Sequence, residues 1–273
     1  MSVQHDIRVL LADVDGTLVT QEKVLTEATK AAVQELRDAG VTLALTSGRP
    51  PRGMAMLIEP LALTGAIAGF NGGVFVNPDL SVIESRRINP DTARQTVKLI
   101  ADQGLDVWFY TDEEWLIHKK DAPHVAREAW TVKFDAKVVP EYTDEHYKHA
   151  VKIVGVSDDA ALVEKCEKAA QQSLGDHASA ARSQPYYLDV TNPQANKGAV
   201  VEFLARTMNV SPKQIATIGD MPNDVLMFRA GGFSIAMGNS SDEVKRQASA
   251  VSGSNENEGF AQAIRTLILG GQT

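Results

Sequence analysis

Two aspartates, Asp13 and Asp15, flank a single valine in LLADVDGTLVT (residues 10–20), at the point where an apolar run stops. Residues i and i+2 of an extended chain face the same side, so both carboxylates can address one ligand. Held that close they repel each other unless a cation or a shared proton intervenes. A third carboxylate, Asp220, ends a second apolar run, IATIG, and is followed by Asn223 and Asp224. A few carboxylates completed by a phosphate oxygen and water are the usual holders of Mg2+. Thr46-Ser47-Gly48-Arg49 adds hydroxyls and a guanidinium, Asn71-Gly72 an amide, and Asn196-Lys197-Gly198 an ammonium.

Each group taken alone also has a plainer reading. Loop carboxylates before a glycine cap backbone amides in turns, and Asn71-Gly72 reads equally as a turn with positive φ. Asp220 reads as a helix cap ahead of Pro222, Lys197 as a solvated lysine opening a helix, and Ser47-Gly48 as turn residues. An EF-hand fits poorly, because its glycine belongs at the sixth loop position and Gly16 stands at the fourth. The chain has neither a P-loop nor a dinucleotide fingerprint.

The elements that position these groups alternate. IRVLLA reads as a buried strand, TEATKAAVQELRDAG as a helix ending at Gly40, VTLAL as a strand, PPRGMAMLIEPL as a helix and GAIAG as a third strand. The rhythm returns after Asn196, with helix KGAVVEFLARTM, strand IATIG, helix NDVLMFRAG, strand FSIAM, helix SDEVKRQAS and a final helix in EGFAQAIRTLI. Such alternation predicts an α/β, doubly wound, Rossmann-like parallel sheet, whose ligands bind beyond the carboxyl ends of the strands. The polar clusters sit at those ends.

Between the halves the texture changes. After a hairpin turning at Asn77-Pro78-Asp79, the strand-like runs LDVWFY and EWLIHKK follow each other with no helix between them, which predicts an antiparallel sheet. The expected organisation is a core of residues 1–85 and 188–273 with an inserted α/β domain over 86–187. Trp108, Trp115 and Trp130 all fall in the insert and read as core before they read as ligand contacts. No spacing of His118, His124, His146 and His149 suits a zinc site.

The chain has 273 residues and a formal net charge of -8, so no broad basic face offers itself to nucleic acid or an anionic membrane. No run approaches the roughly 20 apolar residues of a membrane span, and nothing resembles a signal peptide. A lone cysteine, Cys166, fits a reducing compartment, and a cytoplasmic location is expected.

DVDGTL, TSGR, NKG and GDMPNDVLMF resemble, in order, the four motifs of the haloacid dehalogenase superfamily of phosphohydrolases. The insert between the second and third motifs resembles the type 2 cap of the Cof-like sugar-phosphate phosphatase branch. The resemblance implies Asp13 as nucleophile and Asp15 as acid and base. It implies Ser47, rather than Thr46, as the phosphate-holding hydroxyl, and Lys197 as the neutralising cation. Mg2+ is the implied cofactor, held by Asp13, the backbone carbonyl of Asp15, and Asp220, with Asn223 and Asp224 supporting the phosphate, the water or Lys197. Arg49, Asn71 and Gly72 fall at the substrate rim, with Asn239 a weaker member. Met221 replaces a common asparagine, and TNPQANKG replaces the commoner GVSKG.

The expected activity is Mg2+-dependent hydrolysis of a small phosphorylated metabolite, a sugar phosphate first, through an aspartyl phosphate. Two alternatives stay open: a sugar phosphomutase of the same superfamily, and a non-catalytic phosphometabolite-binding protein. The expected partner is the small metabolite alone, not nucleic acid or membrane, with the protein a monomer or homodimer.

Overall fold

The computed structural model describes residues 6–270. The chain forms two compact units, residues 1–81 with 196–273, and residues 82–195. In chain order the first unit contributes β1 (Val9–Asp13), α1 (Glu27–Asp38), β2 (Thr42–Thr46), β3 (Ile67–Gly69) and β4 (Val74–Val76). The second contains β5 (Val82–Ser85), α2 (Pro90–Asp102), β6 (Asp106–Thr111), β7 (Trp115–Ile117), α3 (Val125–Val132), β8 (Lys137–Val138), α4 (Asp144–Lys148), β9 (Ala150–Val156), α5 (Ala160–Leu174), β10 (Ser179–Gln184) and β11 (Tyr187–Thr191). The first unit resumes with α6 (Lys197–Thr207), β12 (Ile215–Gly219), α7 (Val225–Ala230), β13 (Phe233–Ala236), α8 (Asp242–Lys245), β14 (Ala250–Val251) and α9 (Gly259–Ala263).

Strands of the first unit lie in the order β14-β13-β12-β1-β2-β3-β4, and every pair is parallel except β3 with β4. The chain winds from β1 to β3 on one side and from β12 to β14 on the other. The connections therefore diverge between β1 and β12, where doubly wound sheets bind ligands. Register aligns the strand ends, with Asp13 opposite Thr46 and Ala12 opposite Ile218. On one face, α6 buries Val200, Val201, Phe203 and Leu204 against Val9, Leu11 and Phe75. Each such side chain stabilises by about 1.5–3 kcal/mol. That packing fixes the start of α6, and with it Lys197.

Two helices differ from the sequence expectation. Residues 51–57 wind as a 3₁₀ segment, with Gly53 N–H donating to Pro50 O and Ile58 N–H to Ala55 O. Pro50 and Pro51 lack backbone donors, and the Gly53 carbonyl is taken by Arg49 Nη1 at 3.2 Å. The final helix leaves α geometry after α9 and widens over Ile264–Ile268, where Leu269 N–H donates to Ile264 O.

In the second unit a 6-stranded sheet runs β10-β11-β9-β6-β7-β8, antiparallel except for β7 with β8. Phe109, Ile153, Leu188 and Val190 pack with Ile100 of α2 and Val163 and Leu174 of α5. Trp108 and Trp115 are buried and meet edge to face at 5.1 Å, whereas Trp130 is 48% exposed under Lys133 Nζ. Arg86 Nη1 donates to Gln194 O at 2.6 Å and Asn192 Nδ2 to Arg87 O at 2.8 Å. These bonds tie the entering and leaving segments of the second unit together.

Candidate active site

β1 delivers Asp13 to the carboxyl edge of the sheet, and α6 delivers Lys197 from its first turn. Lys197 Nζ lies 2.6 Å from Asp13 Oδ1 and 2.5 Å from Asp224 Oδ1, and all three side chains are buried. Asp224 Oδ2 accepts the backbone N–H groups of Asp220 and Met221, each at 2.8 Å. Met221 itself points outward, 49% exposed, so at this position the backbone makes the polar contact. Both oxygens of Asp224 are thus engaged in positioning its neighbours.

Asp220 faces the loop after β1. Thr17 Oγ1 donates to its Oδ1 at 3.2 Å, and Asn239 Nδ2 to its Oδ2 at 3.2 Å. Gly16, at φ +80°, makes the close approach possible, because a Cβ there would lie 2.4 Å from Asp220 Oδ2. Asp13, Asp220 and Asp224 each offer an oxygen within 4.8 Å of one another. Against three carboxylates stands one lysine. Burial, reinforced by Asp224, raises Asp220 to about 6. Asp13 is likewise driven well up, by burial first and by Asp224 and Asp220, with Lys197 opposing. Burial acts to depress Lys197, and Asp13 and Asp224 outweigh it, so the ammonium is held charged. A cluster in which Asp13 and Asp220 are both pushed upward for want of positive charge is chemically suited to a divalent cation. Asp13 and Asp220 could hold one, whereas Asp224 is committed to Lys197 and the backbone.

Asp15, two residues on, is surrounded differently. Arg49 grips its carboxylate bidentately, Nε to Oδ2 at 2.7 Å and Nη2 to Oδ1 at 2.6 Å, and Lys23 Nζ adds a contact at 2.7 Å. Burial acts to raise this carboxyl, but Arg49 and Lys23 outweigh it and hold it below the usual carboxylate range. Arg49 is only 4% exposed, so its guanidinium faces inward to Asp15 and Gly53. The resemblance places it at the substrate rim, and the structure pairs its guanidinium with Asp15.

Ser47 is buried at the end of β2, with its Oγ accepting the backbone N–H of Arg49 at 3.1 Å. Asn71 and Gly72 form a left-handed turn after β3, at φ 56° and 95°. Asn223 Nδ2 donates to Asn71 Oδ1 at 3.3 Å, joining the third-strand turn to the Asp220 loop. Sequence reasoning assigned no role to Thr17 or Lys23. Thr17 had a signal, standing directly after DVDG; Lys23 had none, since only the turn at 20–24 brings it back to Asp15.

The fold and site together define an α/β protein with a lysine-bridged carboxylate cluster at the carboxyl edge of a parallel sheet. Comparison with known proteins makes this specific, because the haloacid dehalogenase-like hydrolase family matches residues 10–264. The chain is 29% identical to the HMP-PP phosphatase of Cronobacter sakazakii, over 83% of this chain and 82% of that protein. It is 25% identical to the pyridoxal phosphate phosphatase YbhA of Escherichia coli, over 96% and 99%. A haloacid dehalogenase-like hydrolase from Bacteroides thetaiotaomicron superposes with a TM-score of 0.88 at 24% identity, covering 94% of this chain and 98% of that one. The chain belongs to the haloacid dehalogenase-like hydrolases, as a Cof-like phosphohydrolase.

Proposed function

We propose that this protein is a Mg2+-dependent phosphatase that hydrolyses a small phosphorylated metabolite, a sugar phosphate first, through an aspartyl phosphate on Asp13. The observation that carries this reading is the buried Lys197 held between Asp13 and Asp224, with Asp220 beside them. Lys197 engages Asp13 Oδ1, so Oδ2 is the atom that attacks phosphorus. As the Oδ2–P bond forms, the bond from phosphorus to the ester oxygen breaks, and that oxygen takes a proton from Asp15. Water then attacks phosphorus and gives its proton to Asp15, which restores the Asp13 carboxylate and releases phosphate. The Arg49- and Lys23-paired Asp15 is the base form, suited to this second half-reaction. Ser47 Oγ and Asn223 Nδ2 hold phosphoryl oxygens, while Asn71 keeps Asn223 in place. Mg2+, held by Asp13, the Asp15 carbonyl and Asp220, supplies screening between the nucleophile and the phosphate. The insert is assigned the choice of substrate.

The named activities of the HMP-PP and pyridoxal phosphate phosphatases support the class of substrate. The test is steady-state hydrolysis of a panel of phosphorylated metabolites with and without Mg2+, read as kcat/KM. Mg2+-dependent phosphate release from at least one member is expected. Isomerisation of a hexose 1-phosphate without free phosphate would replace the reading with a mutase. Ligand-induced stabilisation with no turnover on any member would replace it with a binding protein.

A further inference from the structure

The loop after β13 carries Asn239, whose carboxamide joins three segments of the first unit. Its Nδ2 donates to the Gly16 carbonyl at 2.9 Å as well as to Asp220, and its Oδ1 accepts the backbone N–H of Asn255 at 3.1 Å. Asn255 is buried, and its Nδ2 donates to the Val19 carbonyl at 3.0 Å. Further along, the backbone N–H of Gln21 donates to Glu256 Oε1 at 2.7 Å. The loop that follows Asp13 and Asp15 is thus stitched, at Gly16, Val19 and Gln21, to a segment more than two hundred residues away.

The support is itself tightly packed. Gly238 N–H donates to Gly253 O at 2.8 Å, and a Cβ on Gly238 would lie 2.6 Å from Ser254 N. Ser252 Oγ donates to Gly259 O at 2.6 Å, and Phe260, Ala261 and Ile264 are buried behind it. Backbone at this spacing has little room to shift.

We infer that Asn239 and Asn255 form a brace that sets the cation affinity of the site. They are positioning residues, holding the Gly16–Val19 loop and the Asp220 carboxylate in mutual register. This rests on reading Asp13 and Asp220 as cation ligands. Thr17 and Asn239 each donate to one oxygen of Asp220, which restrains carboxylate rotation while leaving a lone pair on each oxygen for a metal. A ligand already oriented loses less freedom when it binds.

Asn239 is exposed, so Asn239→Ala leaves the core intact. The experiment is calorimetric titration of the full chain with Mg2+, together with amide exchange of the 14–22 segment in metal-free protein and steady-state kinetics. In Asn239→Ala the Mg2+ dissociation constant should rise about tenfold, with faster exchange at Gly16–Gln21 in metal-free protein and with the Mg2+ concentration that half-saturates turnover of an aryl phosphate raised by a similar factor. Asn255→Asp, which keeps the shape but cannot donate to Val19, should move the constant in the same direction. A Mg2+ constant in Asn239→Ala within about twofold of a normally binding wild type overturns the inference alone. A wild-type chain that takes up no Mg2+ overturns the functional reading and the inference with it.

Discussion

Asp13 and Asp15 come from one strand end yet stand in opposite electrostatic surroundings. Around Asp13 gather Asp220 and Asp224 with a single lysine, and Asp13 and Asp220 are driven toward protonation. Around Asp15 gather Arg49 and Lys23, and the carboxylate is driven the other way. The inner cluster is short of positive charge and the outer one has an excess of it. A cation completes the first and an anion the second, which is what a magnesium-bound phosphate ester offers. The electrostatic difference between two like residues is thus set by what other elements bring to each.

Substitutions can break that contrast. The largest effect is expected for Asp13→Asn, with kcat for an aryl phosphate falling by more than about a thousandfold and no covalent phosphoryl-enzyme on rapid quench. Asp15→Asn should still form the intermediate, slowly, so two variants that fail identically at every step would erase the distinction. Next is the outer cluster. Arg49→Met removes the bidentate grip and should lower kcat by about a hundredfold, whereas Lys23→Met, losing the more exposed contact, should cost about fivefold. Equal losses from the two would show that charge alone, not orientation by Arg49, matters there.

The smallest effect sharpens the inner cluster through pH. Asp220 rises from an ordinary 3.8 to about 6, so in metal-free protein its protonated form favours folding. That contribution is present below about pH 4 and is lost as pH rises through about 6. Mg2+ must displace the proton to bind, so its stabilisation grows across the same window. The rise in Tm caused by saturating Mg2+ should therefore be larger at about pH 7.5 than at about pH 5. A rise independent of pH would mean that Asp220 does not hold the ion.

Much of this was legible in the chain. The near-continuous burial of β1, β2 and β12 follows from the apolar runs IRVLLA, VTLAL and IATIG, and the carboxyl-edge placement of Asp13, Ser47 and Asp220 follows from parallel winding. Neighbouring strands without a helix correctly implied the antiparallel β6–β7 pair. The helix read over PPRGMAMLIEPL misses because periodicity is blind to Arg49 taking the Gly53 carbonyl.

What the sequence by itself determined is the set of reactive groups and the strand ends that carry them, because apolar periodicity and turn residues act locally along the chain. The partners of those groups were decided only by tertiary structure. Lys197 reaches Asp13 from 184 residues away, Asp220 is steadied by Thr17 across 203, and Asn255 reaches Val19 across 236. A carboxylate's state depends on the charges and donors within a few ångströms of it. Those neighbours are assembled by the parallel pairing of β1 with β12 and by the packing of α6, and no local pattern encodes them.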